Sequence, residues 1–298
     1  MGTLVTIQVL DTSGDAAIDR AFGWFHEIED RCTRFDERSE LMQLTSRVGL
    51  PVRASAIVFE AVRFALQVAD ASGGAFDPTV GDRMHARGFN REHRTGATVR
   101  GGGAPAADAA AVSYRDVQVD VDRHTITLRR TLTLDLGAVA KGLAIDAAAR
   151  ELQPYVDFGI DAGGDLYLGG SNPEGVAWSV GIRHPRIDGE LIDAFRVSNL
   201  AVCTSGDYER RSPVDPGRHH ILDPRSGDST DAVASVTVIA PGAMLADALA
   251  TAAFVLGPDA GLDFLRRQGV DGLIVTANLE RRETPGLDRL RAHPGAPQ

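Results

Sequence analysis

The sequence predicts an α+β protein, with mixed and antiparallel sheets carrying packed helices. Three observations predict it. Strand-like and helix-like stretches come in blocks rather than in strict βα succession. The strand stretches are short and alternate between apolar and polar residues, as half-buried strands do. Asp161-Ala162-Gly163-Gly164-Asp165 is not G-x-G-x-x-G and opens no helix, so a dinucleotide-binding doubly wound sheet is not indicated. Composition agrees with a globular chain: 298 residues, 43% hydrophobic and 24% charged. A chain of this length buries a core without help from metal or disulfide. With 31 Lys and Arg against 41 Asp and Glu, the net charge is -10, which argues against a nucleic-acid partner. Cys32 and Cys203 belong to no C-x-x-C pair and read as inert core thiols.

Taken in order, Thr3 to Leu10 alternates as a strand, and Asp15 to Arg31 carries Ile18, Phe22, Phe25 and Ile28 at helical spacing. A second helix spans Ala54 to Ala71, with Val58, Val62, Ala65, Leu66 and Ala69 on one face, and Ser72-Gly73-Gly74 stops it. Asp82 to Gly103, rich in Arg, His and Gly, is expected to be an exposed connection. Val117 to Leu136 predicts a meander of three short strands, and Ala138 to Leu152 a helix. Further strands are expected around the Gly163-Gly164 turn and near Val176–Ile182, Ala194–Thr204 and Ala234–Ala240. Helices at Met244–Leu256 and Asp259–Gln268 and a strand at Gly272–Thr276 follow. Residues 1–280 are expected to form one domain, divisible into two α+β subdomains, with a charged tail at 281–298 that frays. The run from Met1 to Val9 has no basic region and no long apolar stretch, so the expectation is a cytoplasmic protein without a membrane span, or an exported one whose leader was removed.

Two residues stand where physics resists them. From Ala232 to Pro258 the only ionisable side chain is Asp247, inside a helix that is apolar nearly all round. A carboxylate there needs a partner. Either it satisfies the helix N-terminus, or it joins Thr251, one turn on, in a hard-cation site built from oxygens. Lys141 sits near the start of the helix after Leu134-Asp135-Leu136, where the dipole disfavours a cation. It either complements an anion held by helix-start amides or pairs with Asp135 or Asp146. His219 and His220 lie at a loop edge before Asp223-Pro224, where a histidine is either a base or an ordinary turn residue. No paired cysteines, H-x-x-x-H, G-x-S-x-G or P-loop occurs.

Several segments, in this order, resemble the ApbE family of FAD:protein FMN transferases. Met1-Gly2-Thr3 is similar to its M-G-T, and Phe35 to Leu41 to its Y-x-x-x-S-E-L. Phe76-Asp77-Pro78-Thr79-Val80-Gly81 resembles F-D-x-T-V-G, and Asp135 to Gly142 resembles D-L-x-A-I-A-K-G. Gly163-Gly164-Asp165 and Thr204-Ser205-Gly206-Asp207-Tyr208 follow. His220 to Gly227 resembles H-I-I-D-P-x-T-G, and Ala246 to Thr251 resembles A-D-A-L-A-T. The match runs from residue 1 to about 276, and it implies a T-fold-like architecture.

The resemblance also implies a reaction: FAD is the substrate, FMN passes to a Thr or Ser hydroxyl of an acceptor flavoprotein, and AMP leaves. The alternatives are an Mg²⁺-dependent FAD pyrophosphatase and a non-catalytic FAD-binding protein. By similarity, Mg²⁺ is held by Asp247, Thr251 and the Ala138 carbonyl. Met1, Phe35, Ala75, Phe76, Asp77, Asp135, Lys141 and Ile221 match positions near the flavin nucleotide. His220, with Asp247, is the catalytic candidate: it takes the acceptor's proton, and Asp207 is a candidate to tune it. The chain departs from the family pattern at Thr45, where Asn is usual, at Arg87-Gly88-Phe89, which lacks the usual Trp, and at Phe35, in place of Tyr.

Overall fold

The computed structural model describes residues 2–11, 14–90 and 112–291. Strand β1 (Val5–Val9) leads into α1 (Asp15–Cys32), whose buried stripe Ala17, Ala21, Phe25 and Ile28 keeps helical spacing. Helix α2 (Glu40–Thr45) follows at once, with Ser39 as its N-cap accepting from the Met42 amide at 3.2 Å. Short strand β2 (Val52–Arg53), α3 (Ala56–Ala71) and α4 (Gly81–Ala86) complete the first part. Strands β3 (Val117–Asp120) and β4 (Thr125–Leu128) form a small antiparallel sheet with β2. Helix α5 (Gly137–Leu152) then runs to β5 (Phe158–Ala162) and β6 (Asp165–Gly169), joined by the Gly163-Gly164 turn. Both glycines have positive φ, 67° and 92°, which a side chain would strain.

The hairpin β7 (Trp178–Arg183) and β8 (Leu191–Val197) precedes β9 (Leu200–Gly206) and β10 (Val233–Ala240). Helices α6 (Ala243–Leu256) and α7 (Pro258–Gln268) and strands β11 (Asp271–Thr276) and β12 (Arg281–Glu283) finish the fold. The main sheet has seven strands in the order β1-β5-β6-β9-β10-β11-β12, every neighbouring pair antiparallel. Helices α5 and α6 pack against each other on one face, with α1 behind α5. Val180, Ile182, Phe195 and Val197 of the β7–β8 hairpin pack with Val202, Ile239 and Leu273 on the other. Strand β10 is therefore buried along its whole length, which accounts for its nearly unbroken apolar sequence. Among the described residues, no helix is long and apolar enough to cross a membrane.

The α+β class with antiparallel sheets matches the sequence reading, but four local expectations change. Leu132, Leu134 and Leu136 are buried without joining a ladder. Their neighbours bond the 78–81 turn instead, Asp135 N to Pro78 O at 2.7 Å and Gly81 N to Thr133 O at 3.1 Å. The strand expected at Ala194–Thr204 is two strands in different sheets, parted at Asn199, whose φ is 55°. The connection expected from Asp82 begins as helix α4, and its residues 91–103 lie outside the described residues. The stretch expected to fray after Leu279 is tied down as far as Arg291: β12 pairs with β11, and Leu287 is fully buried under the hairpin.

Helices α5 and α6 touch at Gly142. A Cβ on Gly142 would lie 2.5 Å from the Ala243 carbonyl oxygen and from the Met244 backbone, so only glycine allows this crossing. Gly→Ala inside a helix normally stabilises by about 1 kcal/mol. Here the sign reverses: Gly142→Ala should destabilise by about 1–3 kcal/mol through overpacking. Urea denaturation of the two proteins measures it, and a more stable variant would show that the crossing is loose.

Candidate active site

Helix α6 begins against α5, and the two open readings of Asp247 are separated there. The exposed amides at its start are taken by Asp146 of α5, whose carboxylate accepts from Ala243 N at 2.6 Å and Met244 N at 3.0 Å. Burial raises the Asp146 pKa, and those two amides oppose the rise. Asp247 is thus not needed as a cap. It lies one turn in and is buried, and its Oδ2 has no hydrogen-bond partner.

What faces Asp247 is Lys141, with Nζ 3.5 Å from Oδ2. The ammonium also forms a close ion pair with Asp165, the first residue of β6. Neither Asp135 nor Asp146, the partners considered from sequence, holds it. Asp165 in turn accepts from the Thr204 amide at 3.0 Å. Thr251 shares a 3.2 Å hydroxyl–hydroxyl hydrogen bond with Ser205 of β9. Ala138 lies three residues before Lys141 on α5, on the same side of the helix. No group of three or more His, Cys, Asp or Glu converges among the described residues. A cation placed here would meet carboxylate oxygen and, one turn along α6, the Thr251 hydroxyl, hard donors that fit an ion such as Mg²⁺. The orphaned Asp247 oxygen is the observation that makes the fit.

A second group of side chains gathers just before α5. Asp135 accepts from Arg34 Nε at 2.6 Å and from the Gly137 amide at 2.8 Å. Burial pushes its carboxyl up, but the Arg34 guanidinium and the Gly137 amide outweigh burial and hold it below the usual range. Two further amides of the helix start, Val139 and Ala140, bond the Leu136 carbonyl. Arg34 also donates to the Phe89 carbonyl and lies 4.3 Å over the Phe35 ring, which is half-buried. Asp77 is a structural clasp: it accepts from Thr79 N and Oγ1 at 2.8 and 2.7 Å and from Tyr114 N at 2.9 Å. It fixes the turn that Ala75 and Phe76 begin, and this turn is bonded to Asp135 through Pro78.

The two adjacent histidines prove different. His219 Nε2 is 2.7 Å from the Thr230 carbonyl, and its Nδ1 accepts from the Ile221 amide at 3.3 Å, so both nitrogens are used within the loop. His220 lies edge-on to Phe89, 6.4 Å between centroids, and its buried Nδ1 has no partner. Burial, reinforced by Arg210 and His219, pushes the His220 imidazole down to about 3. It is a neutral ring at neutral pH, with a nitrogen free to accept a proton. Asp207 does not tune it, because Arg186 holds that carboxylate bidentately at 2.8 and 2.7 Å. Ile221 is buried beside the pair. The Thr45 hydroxyl bonds back to Leu41 O within α2. Met1 lies outside the described residues.

The structure therefore brings Lys141, Asp247, Thr251 and the Ala138 turn together, and separately Phe35, the Ala75–Asp77 turn, Asp135 and the His220 loop. The start of α5 joins the two. Arg34, Phe89, Asp165 and Ser205 were not singled out from sequence. Phe89, Asp165 and Ser205 stood inside quoted motifs, whereas nothing local marks Arg34 as the partner of a residue 101 positions away.

Residues 1–274 match the ApbE family. The chain is 32% identical to an FAD:protein FMN transferase of Treponema pallidum over 98% of this chain and 87% of that one. It is 30% identical to an FAD:protein FMN transferase of Escherichia coli K12, over 93% and 82%. Its fold superposes on the ApbE protein of Thermotoga maritima with a TM-score of 0.86 at 28% identity, covering 98% and 97% of the two chains. The flavin transferase ApbE of Vibrio cholerae gives 0.80 at 25%, covering 97% and 96%.

A histidine whose folded pKa is depressed makes stability depend on pH in one direction. Between about pH 3 and about pH 6.5 the unfolded chain carries a proton on His220 that the folded chain refuses. Acidification through that window removes stability by up to about 1.4 kcal/mol per pH unit, and above it the contribution is flat. Denaturation of the wild type and His220→Gln at pH 7.5 and at pH 5 should show a smaller acid loss in the variant. Equal losses would mean that His220 is not buried as a neutral ring.

Proposed function

The chain belongs to the ApbE family, and on that premise we propose that it is an FAD:protein FMN transferase, moving FMN from FAD to a Thr or Ser hydroxyl of an acceptor protein and releasing AMP. The orphaned carboxylate oxygen of Asp247, buried beside Lys141 and Thr251, carries the reading. With Asp165 it shares one ammonium between two carboxylates, leaving net negative charge where a diphosphate-cleaving enzyme needs a cation.

Asp247, Thr251 and the Ala138 carbonyl would hold Mg²⁺. That ion, when bound, would orient the diphosphate and neutralise its charge. The remaining work belongs to the chain. Arg34 fixes Asp135 and the Phe89 backbone, and so sets the wall against which His220 stands. Phe35, half-buried beside the Arg34 guanidinium, would supply apolar surface suited to a planar ring system. The His220 imidazole takes the proton from the acceptor hydroxyl. The hydroxyl oxygen bonds to the FMN phosphorus, the bond from that phosphorus to the bridging oxygen breaks, and AMP departs with the electron pair.

Mass spectrometry of a purified acceptor domain after incubation with the protein, FAD and Mg²⁺ tests this. One FMN should remain on the denatured acceptor, with AMP in solution. Free FMN with no flavin retained would replace the transferase reading with hydrolysis. Asp247→Ala should abolish Mg²⁺-dependent turnover, and persistence of that activity would remove Asp247 from the site. His220→Ala should slow transfer by about 10²- to 10⁴-fold while FAD still binds. An unchanged rate would take His220 out of the mechanism.

A further inference from the structure

The cluster around Asp247 holds two carboxylates and one ammonium. Side-chain exposure is 3% at Asp165, 8% at Asp247 and 21% at Lys141, so one negative charge is left over in a poorly solvated place. Among the described residues no other cation pairs with either carboxylate. The ammonium is shared unequally, in close contact with Asp165 but 3.5 Å from Asp247. Asp165 is held for this task, since it begins β6 directly after the Gly163-Gly164 turn and accepts from the Thr204 amide. Lys141 has a flexible four-carbon stem, and nothing in its own helix directs Nζ to one carboxylate rather than the other.

We propose that Asp165 is a positioning residue that draws the Lys141 ammonium away from Asp247 and leaves the Asp247 oxygen open to a divalent cation. The inference rests on the cation site described under the proposed function. Without the Asp165 charge, the ammonium closes on Asp247, and an incoming ion has to displace it. Without the ammonium, Asp247 is open whether or not Asp165 is charged. The two substitutions are therefore coupled, and each has an opposite sign.

Titration of the metal-free protein with Mn²⁺ alone, following the free ion by electron paramagnetic resonance, tests this without FAD or turnover. In Asp165→Asn the oxygen that accepts from Thr204 is kept and only the charge is lost. Its Mn²⁺ dissociation constant should rise about tenfold or more. Lys141→Met should bind Mn²⁺ more tightly than wild type. The double variant, which restores the wild-type charge balance, should return to within about threefold of wild type. Unchanged affinity in Asp165→Asn overturns the proposal. So does a double variant as weak as Asp165→Asn, which would mean that Asp165 acts on the ion directly. If Asp165→Asn does not fold, Lys141→Met decides, and no gain in affinity overturns the proposal. Asp247→Ala separates the two readings. Wild-type Mn²⁺ binding in that variant removes the cation site itself, whereas loss there with no effect of Asp165→Asn removes only the role of Asp165.

Discussion

One buried carboxylate that its own helix does not satisfy organises this molecule. Leaving an isolated charge in a protein interior costs several kcal/mol, so the surroundings of Asp247 have to be arranged around it. Lys141 reaches it from α5, Asp165 balances Lys141 from β6, and Ser205 of β9 engages Thr251 one turn along α6. Four elements distant in sequence thus meet at one point. A hydrophobic substitute there would pack as well, as buried ion clusters elsewhere often permit. The cluster is more informative about ligand binding than about stability.

That arrangement requires α5 and α6 to come unusually close, and the rest of the core follows from this. Gly142 removes the side chain at the crossing, and Asp146 supplies from α5 the acceptors that the start of α6 lacks. The motif that carries Lys141 therefore does two jobs in adjacent residues: the lysine makes the site, and the glycine lets its carrier approach. Strand β10 lies beneath α6 and is covered on its other face by the β7–β8 hairpin, so the site rests on a layer buried from both sides. Such a layer resists local opening, which suits a site that has to hold charges within a few tenths of an ångström.

Much of this was legible in the sequence, and the boundary has a physical reason. The helices carrying Asp247 and Lys141 announced themselves by apolar composition, which made each charged residue conspicuous. The long helical periods and the glycine turn at 163–164 fell where periodicity placed them. Partners did not. Whether Lys141 pairs with Asp135, Asp146 or Asp165 depends on where β6 lies, and strand order is a long-range property. The third strand expected near Leu134 failed for a similar reason. Its alternation satisfied burial, but its backbone groups bond the 78–81 turn rather than a neighbouring strand. The choice between His219 and His220 was equally closed to a local reading, since it turns on which ring the Thr230 carbonyl meets.

The net charge of -10 bears on the substrate in a way composition alone obscures. A dianionic diphosphate approaching an average patch of this surface is repelled, so the site has to offset that field locally. Many arginines are committed to carboxylates: Arg34 to Asp135, Arg186 to Asp207, Arg87 to Asp228 and Arg225 to Asp223. They fix geometry and contribute little free positive charge. Arg210 differs: its charge bears on both Asp135 and His220, and its carbonyl accepts from the His220 amide at 3.1 Å. The same charge depresses the basicity of His220. An anion seated beside Arg210 would relieve that depression, making the imidazole a stronger base when the diphosphate is present than when the site is empty. Burial is the larger cause of the low pKa, so a seated anion offsets only the share that Arg210 adds.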